Sequence, residues 1–132
     1  MTALLAKLGY KPGVDAAVVA RPDELGELLP LPTIELSTRP HDWLLVFLRE
    51  RADISRALAA ALHYPAGGRL WCAYPKKSGA LASDIDRDHG WEPLHEAGFL
   101  AVTQVAIDAD WSALRFRRRE EIAKLTRKGA QA

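Results

Sequence analysis

The sequence has a single cysteine, Cys72, among its 132 residues. One thiol cannot form a disulfide within the chain, and it cannot supply the several thiolates of a zinc cluster. Cys72 lies between Trp71 and Ala73 in an apolar stretch. We therefore expect a small buried side chain at this position and not a reactive thiol.

The sequence also lacks a long apolar run. No stretch approaches the roughly 18 consecutive apolar residues that a membrane-spanning helix needs. Residues 1–13 have neither the basic start nor the extended apolar segment of a secretory signal. These absences predict a cytoplasmic protein that has no membrane partner.

The chain as a whole also lacks a large excess of positive or negative charge, since its net charge is +1. One segment differs from this average. Between Arg115 and Lys128 there are seven basic and two acidic residues, a net charge of +5, which leaves −4 for the rest of the chain. Such a segment can bind nucleic acid by counterion release. However, it has no groove-reading motif and its one aromatic residue is Phe116, so we interpret residues 118–132 as a basic, solvated tail helix and do not expect nucleic acid as the partner.

Hydrophobic residues make up 48% of the chain and charged residues 27%, as in a folded globular domain. Residues 42–48 form an unbroken apolar run, which is typical of a strand buried on both faces. A further helix is predicted after Asp53 and is ended by Pro65; its apolar face includes Leu58 and Leu62. The predicted strands are 14–20, 33–37, 42–48, 69–74, 102–107 and 111–117, and the further predicted helices are 2–8, 23–29, 91–97 and 118–127.

This order of elements predicts an α/β fold over residues 1–117. We expect a three-layer, mostly parallel, Rossmann-like sheet with helices on both faces. The last two strands are joined by a tight turn and should form a C-terminal antiparallel β-hairpin. The four tryptophans are expected to pack in the core of this domain, although some of them could instead line a pocket.

The candidate site lies in the stretch from Gly67 to Trp91. A strand there ends at Pro75, and a polar loop follows that is longer than most strand-to-helix connections. Ligands of open α/β sheets bind beyond the carboxyl ends of the strands, where ammonium groups can hold a phosphate or a carboxylate. Gly79 could add an exposed backbone N–H as a further donor to such a ligand. The alternative interpretation is that Lys76 and Lys77 are solvated loop residues that bind no ligand. The residues that we assign to ligand binding are Lys76, Lys77, Ser78, Asp84, Arg87, Trp91 and Arg115.

Three carboxylates in this loop, Asp84, Asp86 and Asp88, have a spacing that suggests a calcium or magnesium site. A calcium loop of the EF-hand type needs glycine at its sixth position and glutamate at its twelfth. Here these positions hold His89 and His95. We therefore expect no metal, and we interpret Asp84 or Asp88 as the cap of the following helix.

The same loop contains Ser78, Asp86 and His89, which are the residue types of a nucleophile, an orienting carboxylate and a base. The serine is not framed by the G-x-S-x-G turn that exposes a nucleophile at the end of a strand. We therefore assign no catalytic residue.

Four segments of the chain carry a family resemblance: 8–13 (LGYKPG), 42–47 (DWLLVF), 66–70 (AGGRL) and 96–99 (EAGF). Together they resemble the class I S-adenosylmethionine-dependent methyltransferase fold over roughly residues 8–117. In that family the first strand leads into a glycine-rich loop that approaches the cofactor. Here Arg21 is bulky and Pro22 lacks a backbone donor, and 36–39 (LSTR) lacks the family's acidic residue. The resemblance implies a shortened relative without the cofactor pocket, so we expect no cofactor.

Two further segments, 71–77 (WCAYPKK) and 111–116 (WSALRF), are similar to recurrent patterns in a group of small bacterial proteins of unassigned activity. This resemblance implies a fold and no function.

Three classes of function remain open from the sequence. The first is a non-catalytic module that holds an anionic small molecule or a partner near Lys76, Lys77 and Arg115. The second is a small enzyme that uses the same loop, and the third is a nucleic-acid-associated protein that acts through the basic tail. We favour the first, because the cofactor loop is missing and no nucleophile and base pair has support in the sequence. An exposed edge strand could also mediate a homodimer.

Overall fold

The computed structural model describes residues 2–122. Its strands are β1 (Ala16–Val19), β2 (Thr33–Ile34), β3 (Trp43–Phe47), β4 (Arg69–Pro75), β5 (Phe99–Ala106) and β6 (Trp111–Arg118). Its helices include α1 (Ala3–Lys7), α2 (Ile54–Leu62) and α3 (Glu92–Glu96), with short 3-10 turns at Asp23–Leu25 and Arg51–Asp53.

These six strands form one sheet in the order β2-β1-β3-β4-β6-β5. The first four strands in this order pair in parallel, whereas β6 is antiparallel to both β4 and β5. The prediction of a mostly parallel α/β sheet with a closing antiparallel hairpin is therefore confirmed, and this arrangement is consistent with a Rossmann-like fold. The parallel strands end at one edge of the sheet, which we call the carboxyl edge. β6 enters the sheet at this edge, where Trp111 pairs with Pro75.

The centre of the sheet is covered on both faces. All five residues of β3 are buried, as its unbroken apolar sequence predicts. One face packs against buried alanines of α2 and against Leu94 of α3. The opposite face packs against Leu5 and Leu8 of the α1 region. Cys72 is fully buried in the sheet, so the prediction of a small buried side chain is confirmed, and this burial raises the pKa of its thiol far above the ordinary value.

Two tryptophans tie α1 to the two central strands through a single carbonyl group. The indole Nε1–H groups of Trp43 in β3 and Trp71 in β4 both donate to the backbone oxygen of Leu8, at 2.9 and 2.8 Å. A carbonyl oxygen has two lone pairs, so it can accept both bonds. All four tryptophans are at most 5% exposed, which confirms that they pack in the core.

Two details of the predicted elements are wrong. The helix predicted over residues 23–29 is only the 3-10 turn Asp23–Leu25. The N–H of Leu29 still donates to the carbonyl oxygen of Leu25 at 3.0 Å, and beyond this turn Nη1 of Arg21 donates to the carbonyl oxygens of Leu29 (2.8 Å) and Leu31 (3.1 Å). In α2, Leu62 is 82% exposed. The buried face of α2 runs along Ala57, Ala60 and Ala61, and the helix ends before its last residue meets the sheet.

The two ends of the sheet also differ from the prediction in extent. The strand predicted over residues 33–37 is the two-residue edge strand β2. β6 runs through Arg118, and residues 119–122 are helical. The remainder of the predicted tail helix lies outside the described residues. Within residues 2–122, no helix combines the length and the apolar character needed to cross a membrane.

The shared Leu8 carbonyl predicts coupling between the two tryptophans. Trp43→Phe and Trp71→Phe should each lower the free energy of unfolding by about 1–2 kcal/mol, since each removes one buried hydrogen bond and part of an aromatic ring. In either single variant, the Leu8 carbonyl oxygen still accepts a hydrogen bond from the remaining indole. The double variant leaves a buried acceptor without a partner, which costs about 1–3 kcal/mol more. Urea unfolding should therefore show a double-variant loss larger than the sum of the single losses.

A matched control for this cycle is Trp91→Phe, because the Trp91 indole donates to the backbone oxygen of Asp86 and not to Leu8. Combining Trp91→Phe with Trp43→Phe should give additive losses. Additive losses for the Trp43 and Trp71 pair would contradict the shared-acceptor interpretation.

Candidate functional site

A cleft of about 420 Å³ opens at the carboxyl edge, where β4 ends. Its volume is within the range of small-molecule sites, which is about 300–1,000 Å³. Three parts of the chain form it: the end of β4 with the loop after it, the start of β6, and the outer strand β5. The lining residues are Tyr74, Lys76, Lys77, Ser78, Asp86, Arg87, Asp88, Gln104 and Ser112.

The hairpin turn between β5 and β6 holds the first part of the loop. The backbone N–H of Lys76 donates to the carbonyl oxygen of Asp110 at 2.8 Å, and the N–H of Ala80 donates to the Asp110 carboxylate at 2.8 Å. The turn itself is closed by Asp108, whose Oδ1 accepts from the N–H groups of Asp110 and Trp111. The backbone of the loop is therefore held at the hairpin turn at both Lys76 and Ala80.

Gly79 makes this contact between loop and turn close. A Cβ atom at this position would lie 2.8 Å from Cα of Asp110 and 3.0 Å from the carbonyl oxygen of Ala109. The N–H of Gly79 donates to the Lys76 carbonyl oxygen at 3.1 Å. The expectation of a free backbone N–H at Gly79 is therefore wrong, since the tight turn uses that donor.

Asp86 organises the second part of the loop. Its Oδ1 accepts from the N–H groups of Asp88 (2.9 Å) and His89 (3.0 Å) and lies 2.9 Å from Nδ1 of His89. Its Oδ2 lies 3.4 Å from Nζ of Lys77. Partial desolvation opposes ionisation of the carboxyl group, but the hydrogen bonds from His89, Asp88 and Lys77 outweigh it and lower the pKa of Asp86 to about 2.

The inner wall of the cleft is polar but uncharged. Tyr74 and Ser112 are cross-strand partners in β4 and β6, and each is 3% exposed. Nε2 of Gln104 in β5 donates to the Tyr74 hydroxyl at 2.9 Å. Burial raises the pKa of the Tyr74 hydroxyl above its ordinary value, although Ser112 and the Arg87 cation oppose the shift. Tyr74 therefore stays a neutral phenol that can both donate and accept a hydrogen bond.

The structure brings four of the predicted ligand residues together at the cleft: Lys76, Lys77, Ser78 and Arg87. Asp84 has a different neighbour. Its Oδ1 accepts from the backbone N–H of Arg51 at 2.7 Å, so it binds the turn before α2. The interpretation of Asp84 or Asp88 as the cap of the following helix is wrong, because no side chain caps α3.

The other two predicted ligand residues also lie apart from the cleft lining. Trp91 is 2% exposed and packs edge-on against Tyr74, so it supports the cleft wall from the core. Arg115 pairs with Trp71 in the middle of the β4–β6 ladder, and its charged neighbours are Arg69, Arg117 and Glu121. The structure therefore places Arg115 in a separate cluster.

Sequence reasoning missed Tyr74, Gln104 and Ser112 as parts of the site. Their sequence signal is weak, because single polar residues in strands are common on solvated faces. Only the register of β4, β6 and β5 places Ser112 opposite Tyr74 and brings Gln104 to the same hydroxyl. The strand ends were identifiable from the sequence, but the neighbours across the sheet were not.

The loop after β1 is the segment in which the sequence resemblance leads us to look for a glycine-rich loop. Ala20 has a φ of 57°, a left-handed conformation that favours glycine. The side chain of Arg21 is partly buried and reaches the carbonyl oxygens of Leu29 and Leu31. The backbone therefore makes a glycine-type turn here, but an arginine side chain occupies the adjoining space.

The part of the chain between residues 2 and 122 shows no group of three or more His, Cys, Asp or Glu side chains that could hold a metal ion. In the aspartate series of the loop, Asp84 and Asp86 are instead acceptors for backbone N–H groups.

No protein-family model and no curated protein sequence matches the chain. Among solved structures, the chain is similar to one described as a crystal structure of a fibrillarin/Nop5p complex, with 12% sequence identity and a TM-score of 0.45. The similarity covers 78% of this chain and 60% of the other, so this chain spans less than two thirds of that neighbour. The description of the fold as Rossmann-like rests on the sheet order and pairing given above.

The close packing of Gly79 predicts the effect of adding one methyl group. Gly79→Ala should destabilise the protein by about 1–3 kcal/mol, because the new Cβ meets backbone atoms that cannot move without shifting the loop or the hairpin turn. Gly26→Ala is the matched control, since Gly26 is in a right-handed helical conformation and its nearest contact would be 3.3 Å. Chemical denaturation should show a clearly larger loss for Gly79→Ala, and equal losses would contradict the close contact.

The lowered pKa of Asp86 predicts a pH-dependent contribution to stability. The ionised carboxylate stabilises the folded state above the ordinary aspartate pKa of 3.8, and this contribution is lost as the pH falls towards about 2. Asp86→Asn keeps an oxygen acceptor for the backbone N–H groups but removes the charge. Its melting temperature should therefore be lower than that of the wild type at pH 7, and the gap should close between about pH 4 and pH 2.

Asp86→Ala removes the acceptor as well as the charge, so its deficit should persist at acid pH. Thermal unfolding followed by circular dichroism across this pH range distinguishes the two variants. A gap between wild type and Asp86→Asn that stays constant with pH would contradict the role of the charge.

Proposed function

We propose that this protein is a non-catalytic binding module that holds an anionic small molecule, a phosphate or a carboxylate compound, in the carboxyl-edge cleft. The observation that carries the proposal is the convergence of Lys76, Lys77 and Arg87 on one cleft at the end of β4. Hydrogen bonds between such cations and an oxyanion are about twice as strong as neutral ones. Sites beyond the carboxyl ends of strands are also the usual ligand sites of open α/β sheets.

The charges of the lining favour an anion. Lys76, Lys77 and Arg87 face two carboxylates, Asp86 and Asp88, so the lining has one positive charge in excess. Asp86 is already bonded to His89 and lies beside Lys77. Within residues 2–122, neither Lys76 nor Arg87 takes part in an ion pair. These two cations are therefore the ones that we assign to the anionic group.

The uncharged wall indicates the rest of the ligand. Tyr74, Gln104 and Ser112 offer hydroxyl and amide groups at the inner end of the cleft. Such groups can bond to the hydroxyl, carbonyl or further oxygen atoms of a ligand whose anionic group lies at the lysines. We therefore assign to the site an oxygen-rich metabolite with one anionic end.

We also propose that the chain has a methyltransferase-like fold that lacks the loop with which that family binds its cofactor. The position of Arg21 supports the absence of a cofactor pocket. Its side chain donates to the carbonyl oxygens of Leu29 and Leu31 in the place where a cofactor would approach the first strand. We accordingly propose a shortened methyltransferase-like domain that does not bind S-adenosylmethionine. The relation to small bacterial proteins and the cytoplasmic location stay predictions from the sequence.

Ligand-induced stabilisation tests this proposal. A ligand that binds only the folded state at one hundred times its Kd raises the free energy of unfolding by about 2.7 kcal/mol. The melting temperature is measured with inorganic phosphate, pyrophosphate and citrate, each against sodium chloride at equal ionic strength. At least one of these three anions should raise it. Lys76→Ala combined with Arg87→Ala should abolish the rise, and S-adenosylmethionine should give none.

A matched control removes two positive charges elsewhere. Lys7 and Lys11 are exposed and do not line the cleft, so Lys7→Ala with Lys11→Ala should keep the full rise. Equal stabilisation of wild type, cleft variant and control would be a general salt effect and would overturn the proposal. A rise with S-adenosylmethionine would overturn the statement about the cofactor.

A further inference from the structure

The cleft at the carboxyl edge continues into a second hollow. This second hollow has a volume of about 280 Å³ and is lined by residues 101–104 of β5 and by Leu114 of β6. It shares Arg87, Asp88 and Gln104 with the lining of the cleft. Since one water molecule takes up about 30 Å³ in the liquid, the second hollow has room for a chemical group of a ligand. A ligand held at the lysines can therefore extend past these three shared residues.

A β-bulge in β5 shapes the second hollow. Ala101 pairs with Phe116 and Gln104 pairs with Leu114, so three residue steps along β5 match two along β6. Val102 is the extra residue and has no partner in β6. Because paired residues lie on the same face of a sheet, Ala101 and Gln104 flank the face that carries Leu114. The wider spacing and the small side chain of Ala101 leave the space beside Leu114 open.

Two oxygen acceptors that no group within residues 2–122 engages lie where the cleft and the second hollow meet. Asp88 is exposed, and in this part of the chain its carboxylate takes part in no ion pair. The Gln104 side chain donates through Nε2 to the Tyr74 hydroxyl, and its Oε1 accepts no hydrogen bond from the described residues. An ammonium group has three N–H donors and no acceptor, so it fits a wall that presents a carboxylate and an amide oxygen.

Asp88 differs in this respect from Asp86, the other carboxylate of the cleft. Asp86 already lies 2.9 Å from Nδ1 of His89 and 3.4 Å from Nζ of Lys77, and it accepts two backbone N–H groups. Its charge is therefore used within the loop, whereas the charge of Asp88 is open to a ligand.

The contacts that the two spaces offer follow a fixed order. Lys76 lines the cleft alone, Asp88 and Gln104 line both spaces, and Ala101 and Leu114 line the second hollow alone. A ligand that follows this order has an anionic group first, an ammonium group next, and an uncharged group last.

Arg87 and Asp88 also present opposite charges from neighbouring positions of the chain at the junction. This arrangement favours a ligand whose own opposite charges are close together, as the carboxylate and the ammonium group of an α-amino acid are. A simple carboxylate would instead lie beside Asp88 with nothing to offset the repulsion between like charges.

We propose that the ligand of the cleft is an α-amino acid with an uncharged side chain. Its carboxylate binds Lys76 and Arg87, and its ammonium group binds the carboxylate of Asp88 and Oε1 of Gln104. Its side chain enters the second hollow beside Leu114. This inference rests on the proposed function of the cleft and names the class of ligand.

NMR titration of the full chain tests the ammonium contact with matched pairs of ligands. L-valine, L-threonine and L-glutamine are each compared with the carboxylate that lacks only the ammonium group, namely 3-methylbutanoate, 3-hydroxybutanoate and 4-carbamoylbutanoate. At least one amino acid should bind about threefold more tightly than its analogue, or better, because the ammonium group adds an ion pair with an exposed carboxylate.

Asp88→Asn identifies the residue that causes this preference. In this variant the amino acid and its analogue should bind within about twofold of each other, and the analogue should bind at least as tightly as it does to the wild type, because a like charge has been removed. Glu96→Gln is the matched control, since Glu96 is exposed and lines neither space. It should keep the full preference for the amino acid.

Ala101→Leu tests the position of the ligand side chain. The larger residue narrows the second hollow, so the affinity for the amino acid should fall by about threefold or more. Inorganic phosphate, which has no group to place there, should bind this variant within about twofold of the wild type.

The outcomes separate this inference from the proposed function. Carboxylates that bind while the amino acids bind no more tightly, or a preference that survives Asp88→Asn, would overturn the amino-acid ligand and leave the anion site in place. Unchanged amino-acid affinity in Ala101→Leu would overturn the placement in the second hollow. If neither the amino acids, their analogues nor inorganic phosphate bind the wild type, the proposed function and this inference both fail.

Discussion

The Leu8 carbonyl oxygen, which accepts hydrogen bonds from two buried indoles, is the constraint on which the rest of the structure depends. Trp43 and Trp71 belong to the two central strands, and their bonds fix α1 across both of them. An unpaired polar group in such an interior would cost more than the bond itself contributes. The end of α1 is thereby placed so that Gly9 meets Arg69 at the start of β4. The same strand ends at the cleft.

The two ends of β4 have different electrostatic surroundings because different elements meet there. At the carboxyl edge, the loop carries cations and carboxylates together, and Asp86 and Asp110 hold it in place through backbone N–H groups. At the opposite end, β6 contributes Arg115 and Arg117 beside Arg69, with Glu121 as the nearby carboxylate of the described chain. One antiparallel strand, β6, therefore contributes to both surfaces. Its first residues close the cleft, and its last residues carry the excess of positive charge.

The predictions that succeeded depend on local pattern. The unbroken apolar run of β3 and the turn between β5 and β6 follow from burial on both faces and from turn chemistry. In residues 23–29 the chain forms only the 3-10 turn Asp23–Leu25, and Arg21 binds the Leu29 carbonyl oxygen beyond it, a contact that local spacing does not indicate. The exposure of Leu62 was missed because helical spacing gives a face but not the point at which the helix leaves the sheet.

The sequence by itself determined the strands, the parallel order of the first part of the chain, and the loop in which Lys76 and Lys77 follow a strand end. These properties depend on periodicity and on residues close in the chain. Only the tertiary structure decided which side chains share a site. It joined Tyr74 to Gln104 across the sheet and placed Arg115 with other arginines, not with the lysines of the loop. The physical reason is register, because a strand pairs with a neighbour that is distant in sequence, and no local pattern specifies which residues then lie opposite each other.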